Sequence, residues 1–443
     1  MPLSFLRRLE LFSLGILFLG LAAINFPPSP LPPETPEAPT ATVTARPPPE
    51  VVVPTSDPDF ARFGGVLSTP TPARRVVITA RATKISQLVG DLDKQFNRPT
   101  ENLTTTRYHL QATDLGVPFR HNDRTYLLFG DSIGGPGGHA LAYTTDTTAA
   151  NGLHLQFIHD ATGAYKPIII PGVSHQDFEV PMAGVSVDGK MYIYQTTDST
   201  HGDGWTDMGR SVAAVSTDDG QTFKYLYDLS RQKFINVSIT QVDSANWNGL
   251  PQKQGAGLVM FGSGKYRKSN VYLAFQPSAE INSPSSLRYW AGLDRAGQPI
   301  WDGHEGAAKF LFDQPCVGEF SVSYNQFIRK WIMLYNCDMT HLRGINLRTA
   351  DQPWGPWSEP QIIFQPWDDK GYCYFMHTSW TFRKCDQVHG AGLENVWGGE
   401  YGPYQFSDFA TGGDSATTIY FTMSTWNPYT VVLMKAGLRA EPK

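Results

Sequence analysis

The fold is decided by residues 113–131, which read TDLGVPFRHNDRTYLLFGD. This unit contains an acidic residue, an apolar strand, a polar turn and an aromatic-rich strand that ends in small polar residues. Four further copies of the pattern follow at 179–198, 238–263, 318–336 and 376–424. Recurrence of a small antiparallel unit on this scale is typical of a β-propeller, in which each repeat forms one blade around a central axis. The sequence therefore predicts an all-β, five-bladed β-propeller.

The order of strands places acidic side chains on one face of the predicted propeller. Because strands within a blade alternate in direction, the start of each first strand and the end of each second strand lie on the same face. Several acids around one pore raise one another's pKa, which favours a functional role. The acids assigned to this face are Asp114, Asp131, Asp177, Glu179, Asp198, Asp243, Glu319 and Asp338.

Glycoside hydrolysis requires two carboxyl groups beside the scissile bond, one as acid and one as base or nucleophile. We expect the catalytic residues to be Asp114, Glu319 and Asp131. The residues expected to contact substrate are Glu179, Asp243, His377, Trp380 and Trp426. Aromatic side chains can stack on sugar rings but also fill cores, and a histidine can equally serve as a plain hydrogen-bonding group. This chemistry requires no cofactor, and a structural Ca²⁺ or Na⁺ ion on the axis is compatible with it.

Composition limits the classes of partner. The chain has 443 residues, with 41% hydrophobic and 12% aromatic side chains, enough for a large core. The formal net charge of −5 provides no basic surface, which argues against nucleic acid as a partner and fits a neutral glycan. No feature of the sequence requires a second copy, so we expect a monomer.

The chain divides into three predicted segments. Residues 1–26 combine a basic start with an uncharged apolar stretch, which indicates a cleaved signal peptide or an uncleaved membrane anchor. Residues 27–78 are rich in proline and threonine and are predicted to form a disordered linker. The propeller is predicted over 79–443. Either interpretation of the first segment places the domain outside the cytosol, secreted or anchored at the surface.

Four cysteines fall in the last two repeats. An even, clustered set outside the cytosol favours two disulfides over free buried thiols, and no CxxC pair suggests zinc. Cys316 precedes a first strand and Cys337 ends its partner strand, so both should lie on the acidic face. The preferred pairing is therefore Cys316–Cys337 with Cys373–Cys385.

Three motifs resemble the domain-of-unknown-function family 4185 over roughly 81–438. They are DLG to FGD at 114–131, GEFSVSYN to KWIMLY at 318–335 and FTMSTWNPY at 421–429. Members of that family are similar to furanosidases in architecture, and some are endo-D-arabinanases that act on mycobacterial cell-wall arabinan. The resemblance implies that Asp114 is the base or nucleophile and that Glu319 is the general acid.

The leading hypothesis is a glycoside hydrolase that acts at the propeller pore on a furanose-containing, arabinan-like polysaccharide. A non-catalytic carbohydrate-binding propeller would use the same face without a correctly spaced pair of acids. A structural or adhesion module carried on the proline-rich segment is the third alternative. A metal-dependent hydrolase is disfavoured, because no dense cluster of histidines and acids has ligand spacing.

Overall fold

The computed structural model describes residues 74–202, 205–337 and 339–442. The predicted signal or anchor, most of the predicted linker and Asp338 lie outside these residues. In the described part of the chain, no helix has the length and hydropathy needed to cross a bilayer. Among the described residues the first strand spans Arg74–Gln87, and its first residues belong to the segment predicted as linker.

The chain forms one long strand and a small hairpin before the first blade. Its first elements are β1 (Arg74–Gln87), β2 (Leu92–Asp93), β3 (Arg98–Pro99) and α1 (Thr104–Tyr108). β2 and β3 pair with each other, whereas β1 joins the last blade.

Blades 1 and 2 are four-stranded antiparallel sheets. The strands of blade 1 are β4 (Leu115–His121), β5 (Arg124–Ser132), β6 (Gly138–Thr144) and β7 (Gln156–Phe157). The next strands are β8 (Pro181–Val187), β9 (Lys190–Thr197), β10 (Thr200–Gly202), β11 (Trp205–Asp207), β12 (Arg210–Ser216) and β13 (Lys224–Ser230). Blade 2 has the order β8-β9-β12-β13, and β10 pairs with β11 in a separate hairpin.

Blades 3, 4 and 5 follow the same plan. Blade 3 is β14 (Asn236–Asp243), β15 (Ala256–Ser263), β16 (Val271–Pro277), β17 (Arg288–Leu293) and β18 (Pro299–Asp302). Blade 4 is β19 (Val317–Asn325), β20 (Lys330–Cys337), β21 (Ile345–Ala350) and β22 (Gln361–Phe364). Blade 5 contains β23 (Glu400–Gln405), β24 (Thr411–Gly413), β25 (Ala416–Thr425) and β26 (Thr430–Pro442). Short 3₁₀ helices lie at Ser244–Asn246, Ser278–Glu280, Pro284–Ser286, Glu305–Ala307, Thr340–Leu342 and Ser407–Phe409.

The blades close into a ring. The innermost strands contact one another in the order β4, β8, β14, β19, β23 and back to β4. β1 pairs antiparallel with β26, so the start of the domain forms the outer strand of the blade that contains its end. Five clusters of buried apolar side chains lie between adjacent blades, and the one between blades 1 and 2 also includes side chains of blade 5. This is where a propeller buries its apolar surface. These observations confirm the predicted five-bladed, all-β propeller.

The fifth repeat differs from its prediction. Residues 376–380 were expected to form its first strand, but the inner strand of blade 5 is β23. The connection 365–399 between β22 and β23 is instead an irregular loop of turns. Strands alternate in direction within a blade, so the fourth strand of a blade ends on the face where its first strand began. The next blade's first strand starts on that same face, so both ends of this connection lie there. We call this face the pocket face and this connection the 365–399 loop.

Both predicted disulfides are present, Cys316–Cys337 and Cys373–Cys385. The first links the start of β19 to the end of β20, as expected for two strand ends that share a face. The second closes a turn within the 365–399 loop. The described residues contain no free cysteine.

Candidate active site at the propeller axis

A pocket opens where the inner strands begin, and all five blades contribute to it. The residues that line it are Asp114, Leu115, Asp131, Phe178, Val180, Met208, Tyr266, Glu319, Tyr401, Trp426 and Tyr429. The predicted catalytic residues Asp114, Asp131 and Glu319 are therefore brought together, along with Trp426 from the predicted substrate contacts. Aromatic rings form much of the remaining wall.

Backbone irregularities shape this pocket. The strand register shifts near the start of β4, β8, β19 and β23, four of the five inner strands. In β4 the irregularity directly follows Asp114, where Leu115 has φ 67° and Gly116 has φ 76°. Bulges of this kind redirect side chains, and a non-glycine residue in the left-handed region stores strain that is common at functional sites.

Asp114 occupies a buried position in which its neutral form is favoured. Its side chain accepts a hydrogen bond at Oδ2 from the hydroxyl of Tyr401 at 3.0 Å, and the hydroxyl of Tyr429 also favours its ionised form. A Cβ at Gly130 would lie 2.2 Å from Oδ1, so only glycine leaves room for this carboxyl group. Burial, reinforced by the charge of Asp131, raises the pKa of Asp114 to about 8. This environment favours the protonated form of Asp114 at neutral pH.

Glu319 is equally buried but has the opposite electrostatic environment. Its Oε1 accepts a hydrogen bond from the hydroxyl of Tyr266 at 2.8 Å, and its Oε2 accepts one from Nδ2 of Asn336 at 3.0 Å. Nη2 of Arg267 lies 3.4 Å from both carboxylate oxygens. Burial alone would raise the pKa of Glu319, but the charge of Arg267 and these hydrogen bonds outweigh it and lower the pKa below its ordinary value. Glu319 is therefore ionised.

Asp131 is the least buried of the three carboxyl groups. It lies near the end of β5, where its Oδ2 accepts a hydrogen bond from the backbone N–H of Phe178 at 3.1 Å. Its backbone carbonyl accepts a hydrogen bond from the hydroxyl of Tyr429 at 2.9 Å. These contacts connect blades 1, 2 and 5 and hold the carboxylate beside Asp114.

Comparison with known proteins identifies the family. The profile described as "Domain of unknown function (DUF4185)" matches residues 100–435, which include all three carboxyl groups. The chain belongs to this family. The DUF4185 domain thus contains both the propeller and the pocket.

The DUF4185 domain is also similar to individual proteins. Notoamide biosynthesis cluster protein J' of Aspergillus versicolor is 23% identical over 355 residues, covering 68% of this chain and 88% of that protein. An exo-beta-1,3-galactanase structure from Phanerochaete chrysosporium aligns with a TM-score of 0.41 and 9% identity, covering 81% of this chain and 64% of that chain. Native Bacillus subtilis arabinanase aligns with a TM-score of 0.36 and 13% identity, covering 73% of this chain and 94% of that chain.

Two predicted substrate contacts are acids that lie outside the pocket lining. Asp243 is exposed and is the last residue of β14. Because β14 begins on the pocket face, Asp243 lies on the opposite face. Glu179 precedes β8 but is buried, and it accepts hydrogen bonds from the backbone N–H groups of Gln176 at 2.6 Å and Ser199 at 2.8 Å. Hydrogen bonds outweigh burial and lower the pKa of Glu179, so this carboxylate holds two loops in place.

The other two predicted contacts lie in the 365–399 loop. His377 is fully buried; its Nδ1 bonds to Asp386 at 2.5 Å and its Nε2 to the carbonyl of Glu394 at 2.8 Å. Nε1 of Trp380 donates to the carbonyl of Asp386 at 3.3 Å. Both side chains therefore hold the loop together, and neither lines the pocket.

Sequence reasoning missed Tyr266, Arg267, Tyr401 and Phe178. The first two lie in the connection between β15 and β16, whose sequence SGKYRKS has two lysines beside the arginine. A basic loop at the pocket-face end of a second strand was the signal that could have identified them. Tyr401 was missed because the inner strand of blade 5 was placed elsewhere.

The predicted axial Ca²⁺ or Na⁺ ion remains a prediction. Among the described residues, one group of three potential ligands lies close together, namely Cys373, Cys385 and Asp386. Both of its cysteines form a disulfide, so their thiolates are unavailable as ligands. This group lies in the 365–399 loop and not in the pocket.

Proposed function

We propose that the protein is a secreted or surface-anchored glycoside hydrolase that cleaves a furanose-containing, arabinan-like polysaccharide by carboxylate acid–base catalysis. The observation that carries this proposal is the convergence of Asp114, Asp131 and Glu319 in one pocket, where the surroundings raise the pKa of Asp114 and lower that of Glu319. Groups whose environments separate their pKa values in this way are suited to acid and base roles at one pH. The family resemblance supplies the class of substrate.

The charge states favour Asp114 as the general acid, which differs from the role that the resemblance implies. A carboxylic acid with a pKa of about 8 retains its proton at pH 7 and can transfer it to the leaving oxygen of the glycoside. Glu319 has already lost its proton because of Arg267, so it is a poor donor at that pH. We assign Glu319 to the stabilisation of positive charge that develops on the sugar ring.

Asp131 provides the second carboxylate of the reaction. It is more accessible to solvent than Asp114, and it can act as the base for water or as the nucleophile. In either case, water is added across the glycosidic bond: its hydroxide goes to the sugar carbon, and one proton goes to the leaving oxygen. The rings of Trp426 and Tyr429, 5.7 Å apart, offer apolar surface for a sugar on the same side of the pocket.

The test of this proposal is incubation of the purified protein with arabinans and other furanose-containing glycans, followed by sizing of the products. Release of oligosaccharides that requires Asp114 supports hydrolysis. Binding of an arabinan without release of products contradicts it and favours the carbohydrate-binding alternative.

The pH dependence of activity should shift in a predictable direction when Tyr401 is changed to phenylalanine. The reaction requires protonated Asp114, so kcat/KM falls as pH rises through about 8. The hydroxyl of Tyr401 stabilises the ionised form of Asp114, so its removal raises the pKa and moves this alkaline limb to higher pH. The measurement is the pH profile of kcat/KM on a soluble arabinan.

Tyr225→Phe is the control for this shift, because Tyr225 lies at the start of β13, on the face opposite the pocket. Its pH profile should match that of the wild type. An alkaline limb that stays in place in Tyr401→Phe, or moves to lower pH, contradicts the assignment of Asp114 as the acid.

A further inference from the structure

Four aromatic rings form a connected row on the 365–399 loop. Trp367 stacks on Tyr372 with ring centroids 6.4 Å apart, Tyr372 meets Trp397 at 5.1 Å, and Trp397 meets Phe382 at 5.3 Å. The two end members are exposed, Trp367 at 47% and Phe382 at 73%. A single exposed apolar side chain is ordinary, but a connected group of aromatic rings at the surface indicates a binding site. We call these four rings the aromatic row.

The aromatic row lies on a loop that starts and ends on the pocket face, and it is joined to the pocket wall. Both ends of its loop lie on that face. The hydroxyl of Tyr372 donates to the carbonyl of Gly398 at 2.9 Å, and the carbonyl of Gly399 accepts from the backbone N–H of Trp426 at 2.8 Å. Trp426 lines the pocket, so two adjacent residues link the row to the candidate active site.

The row is also held rigidly. The Cys373–Cys385 disulfide closes the turn that carries Phe382, and the buried His377–Asp386 pair fixes the same segment from inside. The guanidinium of Arg343 lies 5.7 Å from the ring of Trp367. A preorganised aromatic surface loses little conformational entropy when it binds a ligand, which favours recognition by stacking.

The surroundings of the row favour a glycan over a protein as its occupant. Exposed polar side chains flank Phe382 and precede Trp397 along the loop: Thr381, Arg383, Lys384, Gln387 and Asn395. Sugar rings present an apolar face with hydroxyl groups at the rim, which matches separated aromatic faces bordered by hydrogen-bonding groups. A protein interface more often has a contiguous apolar centre that is depleted in charge.

We propose that the aromatic row is a distal sugar-binding subsite, which holds a part of the polysaccharide several residues from the bond that is cleaved. The class of ligand rests on the proposed function, whereas the place of binding rests on the row itself. A chain bound at both the row and the pocket is cleaved away from its end, so the subsite makes the enzyme selective for long substrates. Short glycosides that fill only the pocket do not reach the row.

The experiment uses Phe382→Ala and Trp367→Ala in the full chain. Phe382 is 73% exposed, so thermal unfolding of Phe382→Ala should match the wild type, and the half-exposed Trp367 is checked by the same measurement. Tyr225→Ala is the matched control, because Tyr225 is 42% exposed on the opposite face. The readouts are the dissociation constant for arabinan and kcat/KM on arabinan and on a single-sugar aryl arabinofuranoside.

We expect each variant of the row to bind arabinan about tenfold more weakly, with kcat/KM on the aryl glycoside unchanged. If the wild type binds arabinan but does not hydrolyse it, the proposed function fails while the binding comparison still tests the subsite. Equal arabinan binding by Phe382→Ala, Trp367→Ala and Tyr225→Ala overturns the subsite. A wild-type dimer that Phe382→Ala dissociates in sedimentation, with arabinan binding unchanged, also overturns it and makes the row an interface between copies.

Discussion

Replacing Asp114 with asparagine is expected to abolish hydrolysis and, at the same time, to make the folded protein more stable at neutral pH. The amide cannot donate the proton that the leaving group requires, and loss of a general acid reduces rates by about 10²–10⁴-fold. The amide oxygen can still accept the hydrogen bond from Tyr401. The activity loss therefore reports the proton and not a collapse of the pocket.

The gain in stability follows from the raised pKa. The folded protein retains the proton of Asp114 up to a pH of about 8, whereas the unfolded chain releases it near the ordinary value of 3.8. Stability from this group is therefore fully present below pH 3.8 and decreases as pH rises to about 8. Asparagine has no such dependence. We expect the variant to be more stable at pH 7 by on the order of 2–4 kcal/mol, at about 1.4 kcal/mol for each unit of pKa shift.

Denaturant unfolding at pH 5, 7 and 9 checks this expectation. The difference in unfolding free energy between Asp114→Asn and the wild type should increase with pH over this range. If Asp114→Asn is less stable than the wild type at all three pH values, Asp114 is ionised in the folded protein. Retention of full activity would remove Asp114 from the mechanism.

The Arg267→Met variant should behave in the opposite way, losing both activity and stability. It leaves the buried carboxylate of Glu319 without its paired charge, and loss of one partner of a buried ion pair destabilises by roughly 3–5 kcal/mol. Because Arg267 lowers the pKa of Glu319, the pair contributes stability above the ordinary pKa of Glu319 and loses it as pH falls through the lowered value. The stability of the variant should therefore fall furthest below that of the wild type near neutral pH, and the two stabilities should converge in acid.

The double variant Arg267→Met with Glu319→Gln separates the charge effect from packing. Glutamine removes the unpaired buried charge, so the double variant should recover much of the stability that Arg267→Met loses. The measurement is a double-mutant cycle of unfolding free energies at pH 7. Additive effects of the two substitutions would contradict the electrostatic coupling between Arg267 and Glu319.

The strand pattern predicted most of the fold because four repeats pair two largely apolar strands across a polar turn, as in β4 and β5. The prediction of the inner strand of the fifth repeat was wrong for a physical reason. β23 reads EYGPYQ, and glycine and proline weaken its strand signal, whereas the segment MHTSW at 376–380, which was predicted as the strand, lies in a loop closed by a disulfide. Long connections between blades are decided by tertiary contacts that a local pattern does not contain.

The candidate site was predictable to the extent that it depends on strand ends. Asp114, Asp131 and Glu319 converge because each lies at the pocket-face end of a strand, and Asp243 does not because it lies at the other end of β14. Their charge states were not predictable. The pKa values of Asp114 and Glu319 diverge because burial and the charge of Asp131 raise the first, whereas Arg267, from a basic loop of blade 3, lowers the second. The sequence shows that loop but not which carboxylate it reaches.

The central claim is that the pocket hydrolyses a furanose-containing glycan with Asp114 as the proton donor. The most direct test compares the wild type with Asp114→Asn on a soluble arabinan at pH 7, measuring reducing ends released and arabinan bound in the same samples. We expect the wild type to release reducing ends steadily, and Asp114→Asn to bind arabinan without detectable release of reducing ends. Equal release by both proteins, or binding without release by the wild type, would contradict it.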